Sequence, residues 1–201
     1  MAHETFAPWA ELVPDAGRMT VDEMLALPND GWMYELIEGR LVRMPGSGGG
    51  ASTITANLII ALGAFVKARQ LGRVTGSDGT YDLTQPGDTG ETALVPDVAF
   101  VRAEHVPSPT SSEYARGWKL APDLVEEVVS PSQYRPEMAA KARLYLERGV
   151  RLVWVIWPKP QQVDVWRQGS DAPVAALSMG DTLDGLDVVP GFSYPLTELF
   201  A

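Results

Sequence analysis

Apolar residues recur along this 201-residue chain in two rhythms, one helical and one suited to strands. Ile54, Leu58, Leu62 and Phe65 return every three or four positions, which predicts a helix over residues 52–69 with that stripe in the core. Earlier, Thr20 followed by Glu23 reads as a capping box that opens a short helix over 21–27, stopped by Pro28. Residues 34–44 predict a β-hairpin turning at Glu38-Gly39, where Gly supplies a positive φ; Glu is a poorer turn residue than Asp or Asn, so the turn type stays open.

From Gly72 the texture changes to short apolar runs, predicting strands near 74, 81–83, 95–101, 124–129, 152–156 and 163–166. A second helix, 136–148 closed by Gly149, falls between the fourth and fifth of these. Strand, helix, strand with apolar runs on both sides implies a parallel crossover in a mixed sheet covered by helices. Pro8, Pro14 and Gly17 mark residues 1–18 as a loose arm, and 19–201 are expected to form a single domain. The Gly46–Gly50 stretch lacks the Gly-Lys-Ser/Thr ending of a phosphate loop and reads as a flexible connector. Residues 107–122 form a Pro/Ser-rich loop, and the tail from Val174 is expected to end in a short strand or helical turn.

Composition narrows the function classes. With 45% hydrophobic residues the chain can bury a sizeable core, and without cysteine it has neither disulfides nor thiolate metal sites. The first residues show neither the basic region nor the apolar run of a signal peptide, and no apolar stretch is expected to span a bilayer, so a cytoplasmic protein is expected. A net charge of −10 argues against a constitutive nucleic-acid binder. The charge is uneven, however. Residues 135–151 carry five basic and two acidic residues, enough for a local basic face.

Candidate chemistry rests on two strand-borne acids and a lysine. Asp97 follows Pro96 at the head of an apolar strand, where it either caps a turn or serves a metal; a bare buried charge there would be costly. Glu126 and Glu127 interrupt a second strand and point to opposite faces, so at most one can join Asp97 directly. Lys141 lies near the apolar stripe of the second helix, from which it either snorkels to solvent or reaches over the carboxylates. Together the three make a minimal kit for holding Mg²⁺ and hydrolysing a phosphodiester.

Several segments, in this order, resemble the Uma family of endonucleases within the PD-(D/E)XK restriction-endonuclease-like superfamily. They are Thr-Val-Asp-Glu-Met-Leu (20–25), Tyr-Glu-Leu-Ile-Glu-Gly-Arg-Leu (34–41) and Val-Pro-Asp-Val (95–98). Pro-Asp-Leu-Val-Glu-Glu-Val-Val-Ser-Pro-Ser (122–132), Lys-Ala-Arg-Leu-Tyr-Leu-Glu-Arg-Gly-Val (141–150) and Val-Trp-Val-Ile (153–156) complete the set. The resemblance implies an α/β, restriction-endonuclease-like fold: a mixed sheet flanked by helices, with an N-terminal β-hairpin. It implies that Asp97 and Glu127 bind metal, together with the Val128 carbonyl, and that Lys141 replaces the lysine usually found two residues past the second acid, where Val129 stands. Glu35 matches an acidic position beside the metal, although a surface charge on the hairpin is the alternative.

Two departures stand out. Many relatives carry histidine near the position of Ala51, and the position of Glu126 is normally apolar. The expected activity is Mg²⁺-dependent cleavage of nucleic acid, with DNA as the expected substrate and Mn²⁺ as substitute, by a homodimer. The rival is a decayed nuclease-fold module acting through self-association or a partner, favoured by the acidic balance, the missing histidine and the aromatics around Trp154, Trp157 and Trp166, which are expected to be exposed.

Overall fold

Two β-sheets meet at residues 95–97, and that junction positions the candidate chemistry. The structure, a computed structural model, describes residues 7–44 and 48–201. A short strand β1 (Glu11–Leu12) precedes helix α1 (Val21–Leu25), whose capping box forms as the sequence predicts. The hairpin follows as β2 (Met33–Ile37) and β3 (Arg40–Met44). Both turn residues take positive φ, 50° at Glu38 and 76° at Gly39, the geometry of a tight hairpin turn. Glu38 is held there by a bond from its amide to Thr92 Oγ1. Gly90 packs so closely that a Cβ on it would lie 2.3 Å from the Glu38 carbonyl oxygen.

Helix α2 (Gly49–Arg69) starts earlier than its periodicity suggests. Gly48 caps it and Gly49-Gly50 enter its first turn, so the connector reading fails for these three; Gly46 and Ser47 lie outside the described residues. Strands β4 (Gly72–Thr75), β5 (Tyr81–Asp82), β6 (Ala93–Leu94) and β7 (Val98–Arg102) come next. The run expected as one strand over 95–101 is therefore split. Pro96 has no N–H to donate to a ladder, and the chain leaves one sheet there and joins the other.

The crossover is β8 (Leu124–Val128), α3 (Arg135–Glu147) and β9 (Leu152–Trp157), with β8 and β9 parallel. Strands β10 (Gln162–Arg167) and β11 (Ala175–Leu177) extend the sheet, and β12 (Thr182–Asp184), β13 (Ser193–Pro195) and α4 (Leu196–Leu199) finish the described chain. The main sheet runs β11-β10-β9-β8-β7-β4 and the smaller one β1-β3-β2-β6-β5.

Alternation along the central strands divides the core in two. Val125, Val153 and Val155 pack with Met138, Ala142 and Tyr145 of α3, whereas Leu124, Val128 and Trp154 pack with Leu58 and Leu62 of α2. The two helices thus cover opposite faces. Contrary to expectation, α2 is long and apolar enough to cross a membrane, with a mean hydropathy of 1.6. Here its inner stripe docks on the sheet; each fully buried leucine contributes about 1.5–3 kcal/mol to that docking.

Two other expectations are corrected. Residues 7–18 do not form a loose arm: β1 pairs with β3, and Ala7 and Trp9 are buried. Trp154, Trp157 and Trp166 are all buried in the core rather than exposed.

Candidate active site

Asp97, Glu127, Lys141 and Glu35 converge from four parts of the fold. Asp97 leaves the sheet junction just before β7, on the face that also carries Glu127 of β8. Its Oδ2 accepts the Val128 N–H at 2.7 Å, which joins the two strand ends. Lys141 comes from α3 and is 1% exposed, so it does not snorkel. Its Nζ lies 2.9 Å from each carboxylate oxygen of Glu127 and 3.1 Å from Glu35 Oε1.

Glu35 is fully buried on β2, which rules out the surface-charge alternative. It also accepts from Trp9 Nε1 at 3.2 Å and from the Val95 amide at 3.0 Å. Tyr145, one helical turn after Lys141, donates its hydroxyl to Glu127 at 2.7 Å. Tyr145 and Trp9 are the site residues that the sequence reading missed. The i, i+4 spacing from Lys141 to Tyr145 was a usable signal, whereas nothing local marks Trp9.

The electrostatics of the cluster balance burial against pairing. Burial pushes the Asp97 carboxyl up; the Val128 amide and Lys141 pull it back, and Glu35 adds to the rise. Glu127 is likewise raised by burial and by Asp97 and Glu35, against Lys141 and Tyr145. For Lys141, burial disfavours the ammonium, but Glu127 and Glu35 more than reverse this and hold its pKa above the ordinary value. We read Lys141 and Glu127 as a charged pair, because both Glu127 oxygens face cationic or hydroxyl donors.

Asp97, Glu127 and Lys141 border a cleft of about 90 Å³ reached past Met33, Met44, Ser130 and Gln133. Asp97 and Glu127 bring hard carboxylate oxygens to it, the kind Mg²⁺ takes, and Val128 lines it between them. Among the described residues, no three of His, Cys, Asp or Glu gather to enclose an ion alone. That fits Mg²⁺, which is commonly held by one or two carboxylates with water and substrate phosphate completing its sphere.

Glu126 lies on the other face, beside Val98 and Trp154 in the ladder, and is fully buried. Neither of its oxygens has a hydrogen-bond partner among the described residues, nor does Trp154 Nε1. Burial, then Asp97 and Glu127, push its carboxyl well above 4.5. Folded protein therefore keeps this proton to higher pH than unfolded protein. The group's contribution to stability is full below pH 4.5 and is lost as pH rises through the elevated value. Glu126→Leu is expected to stabilise metal-free protein by about 1–3 kcal/mol near neutrality. The gain should shrink in melts at pH 4; a gain independent of pH, or a loss, would refute this account.

The basic run of residues 135–151 offers no free cationic face. Arg135 bonds Asp164, Lys141 is buried, Arg143 bonds the Asp171 carbonyl, Arg148 bonds Asp88 and Arg151 bonds Asp187. Ala51 sits in the first turn of α2, in a groove that shares Val128 with the cleft.

A mixed sheet with this order, covered by one helix on each face, is restriction-endonuclease-like, a nuclease fold. The chain belongs to the Uma2 family, described as "Putative restriction endonuclease", whose family model matches residues 21–197. A crystal structure of "a putative nuclease belonging to DUF820 from Anabaena variabilis ATCC 29413" is similar at a TM-score of 0.73. The two chains are 24% identical over 90% of this chain and 97% of that one, a likeness of fold. No curated protein matches the chain.

Proposed function

We propose that this protein is a Mg²⁺-dependent endonuclease that hydrolyses phosphodiester bonds of nucleic acid, with DNA as the substrate and Mn²⁺ able to replace Mg²⁺. The observation that carries the reading is the convergence of Asp97, Glu127 and Lys141 on one cleft, with Glu35 behind the lysine. Asp97 and Glu127, with the Val128 carbonyl, would hold the metal. When bound, the ion supplies neutralisation of the phosphate and a more acidic water.

The chain's own groups do the positioning. The Val128 amide fixes Asp97 at the strand end. Tyr145 and Lys141 fix the rotamer of Glu127. Glu35, itself pinned by Trp9 and Val95, holds the ammonium of Lys141 toward the cleft. From there the ammonium orients the attacking water and stabilises charge developing on the phosphate oxygens. None of these groups reads a base, so no target sequence is specified by them.

We place this activity in the cytoplasm and in a homodimer. The outward face of α2 supports the dimer: it carries Ile60 at 70% exposure between Ala56 and Ala64, and no charge from Gly49 to Val66. Light scattering should give twice the 21.8 kDa chain mass.

The test is cleavage of supercoiled plasmid and single-stranded DNA in Mg²⁺ or Mn²⁺, beside the same reactions in EDTA. Cleavage that depends on the cation is the expected result. Cleavage undiminished in EDTA would overturn the metal role. No cleavage, together with no Mn²⁺ binding by calorimetry, would leave the non-catalytic module as the better reading.

A further inference from the structure

The cleft is not the largest concavity at this end of the sheet. Past Val128, Ser130 and Gln133, which border both, lies a groove of about 650 Å³. Its sides are the first turn of α2, the end of β8 and the turn between β9 and β10. Ile54, Val129, Trp157, Pro158 and Phe200 give it an apolar wall, and the active-site face contributes Ser130 and Gln133. Trp157 is held rigidly: its Nε1 donates to Asp164 at 2.8 Å, and the Arg135 guanidinium, also bound to Asp164, lies 4.5 Å from the ring centre.

We propose that this groove receives an unpaired nucleotide of the substrate strand, next to the phosphate being cleaved. The inference rests on the nucleic-acid reading of the cleft. Its size falls in the range of small-ligand sites, and apolar walls with a few fixed polar groups suit a base with a hydrogen-bonding edge. Continuity with the cleft means that a strand lying across Asp97 and Glu127 enters the groove within one or two nucleotides.

Charge also favours a single strand over a duplex. A duplex is gripped mainly through its phosphates by Lys and Arg. Here the net charge is −10, and Arg135, Arg143 and Arg148 are already occupied. Contacts to an exposed base supply affinity that the scarce cations cannot. The groove also carries a cation of its own. Lys159 is exposed there and has no ion-pair partner among the described residues. The α2 first turn beside it contains no acid, and among the described residues Gly48, Gly49 and Gly50 have no neighbour where a Cβ would stand, so a phosphate can approach the backbone amides.

Binding, measured without catalysis, tests this. Fluorescence anisotropy in EDTA would compare a labelled single-stranded oligonucleotide with its blunt duplex, for wild type, Thr53→Trp and Lys159→Ala. Thr53 is exposed on the groove rim, so a tryptophan there fills the space from the solvent side.

The expected result is single-strand affinity at least about tenfold lower in Thr53→Trp, with duplex affinity unchanged. Lys159→Ala should weaken the single strand with a shallower salt dependence. A 2-aminopurine in the strand should change its fluorescence on binding wild type and not Thr53→Trp. Should Thr53→Trp melt lower than wild type, Lys159→Ala and the base probe decide. Unchanged single-strand affinity, equal losses for both substrates, or wild type that prefers the duplex would overturn the groove assignment. None of these outcomes touches the nuclease reading, which stands or falls on cation-dependent cleavage. Capture of an apolar peptide in place of the oligonucleotide would identify the groove as a protein-docking site and refute the nucleotide.

Discussion

The Asp97→Asn variant is expected to lose cation-dependent DNA cleavage by roughly 10³-fold or more while remaining folded. Asparagine keeps an oxygen in place to accept the Val128 amide, so the bond that joins the two strand ends survives. What disappears is a negative charge at the mouth of the cleft. Without it the site has one carboxylate left to attract a divalent ion, and Mn²⁺ affinity should fall in parallel with cleavage. The thermal midpoint in EDTA should be unchanged or slightly higher. Asp97 is a charge that burial disfavours, and it also repels Glu35 and the neighbouring glutamates. The decisive comparison is therefore cleavage beside melting. A variant that melts like wild type and still cuts would remove Asp97 from the chemistry.

Lys141→Met should do the opposite to stability. The methionine is similar in length and sits among apolar neighbours, yet it strands two buried carboxylates that share one cation. Breaking a buried pair by removing one partner costs about 3–5 kcal/mol. Urea denaturation in EDTA at neutral pH should show a loss of that order, with cleavage abolished as well. The loss should be smaller in acid. With its cationic partner gone, Glu127 is raised further, so the folded variant binds a proton that the unfolded chain has already given up. That contribution is retained at low pH and lost as pH rises through the elevated value. An unchanged denaturation midpoint would mean that Lys141 is not the keystone its contacts suggest.

Much of this architecture can be read from local pattern. The two helices, the hairpin and the parallel crossover follow from periodicity and turn chemistry. The shared face of Asp97 and Glu127 follows from the alternation of strand side chains once their pairing is assumed. Pro96 marked the break between β6 and β7, although the apolar run around it reads as continuous. The N-terminal segment reads as loose because its order comes from partners far along the chain: Trp9 meets Glu35 and β1 meets β3. Prolines make such a segment look loose until those partners are known. The tryptophans of β9 and β10 were similarly ambiguous, since alternation gives a face but not what covers it. Glu35 is the least legible of the site's acids. Its hairpin position fits a surface charge equally well, and only the packing of residues 7–12 and α3 over β2 buries it.

The buried tie of Lys141 to Glu35 and Glu127 also bears on synthesis. Its members are made in the order Glu35, Asp97, Glu127, Lys141, and no shorter stretch of chain contains all four. A nascent chain on the ribosome therefore carries acids but no assembled centre until α3 has emerged and packed down. A chain truncated before that helix is a fragment with repelling carboxylates and no cation among them. Under the nuclease reading, the order of residues is itself a safeguard: cutting waits until α3 has been made and packed down.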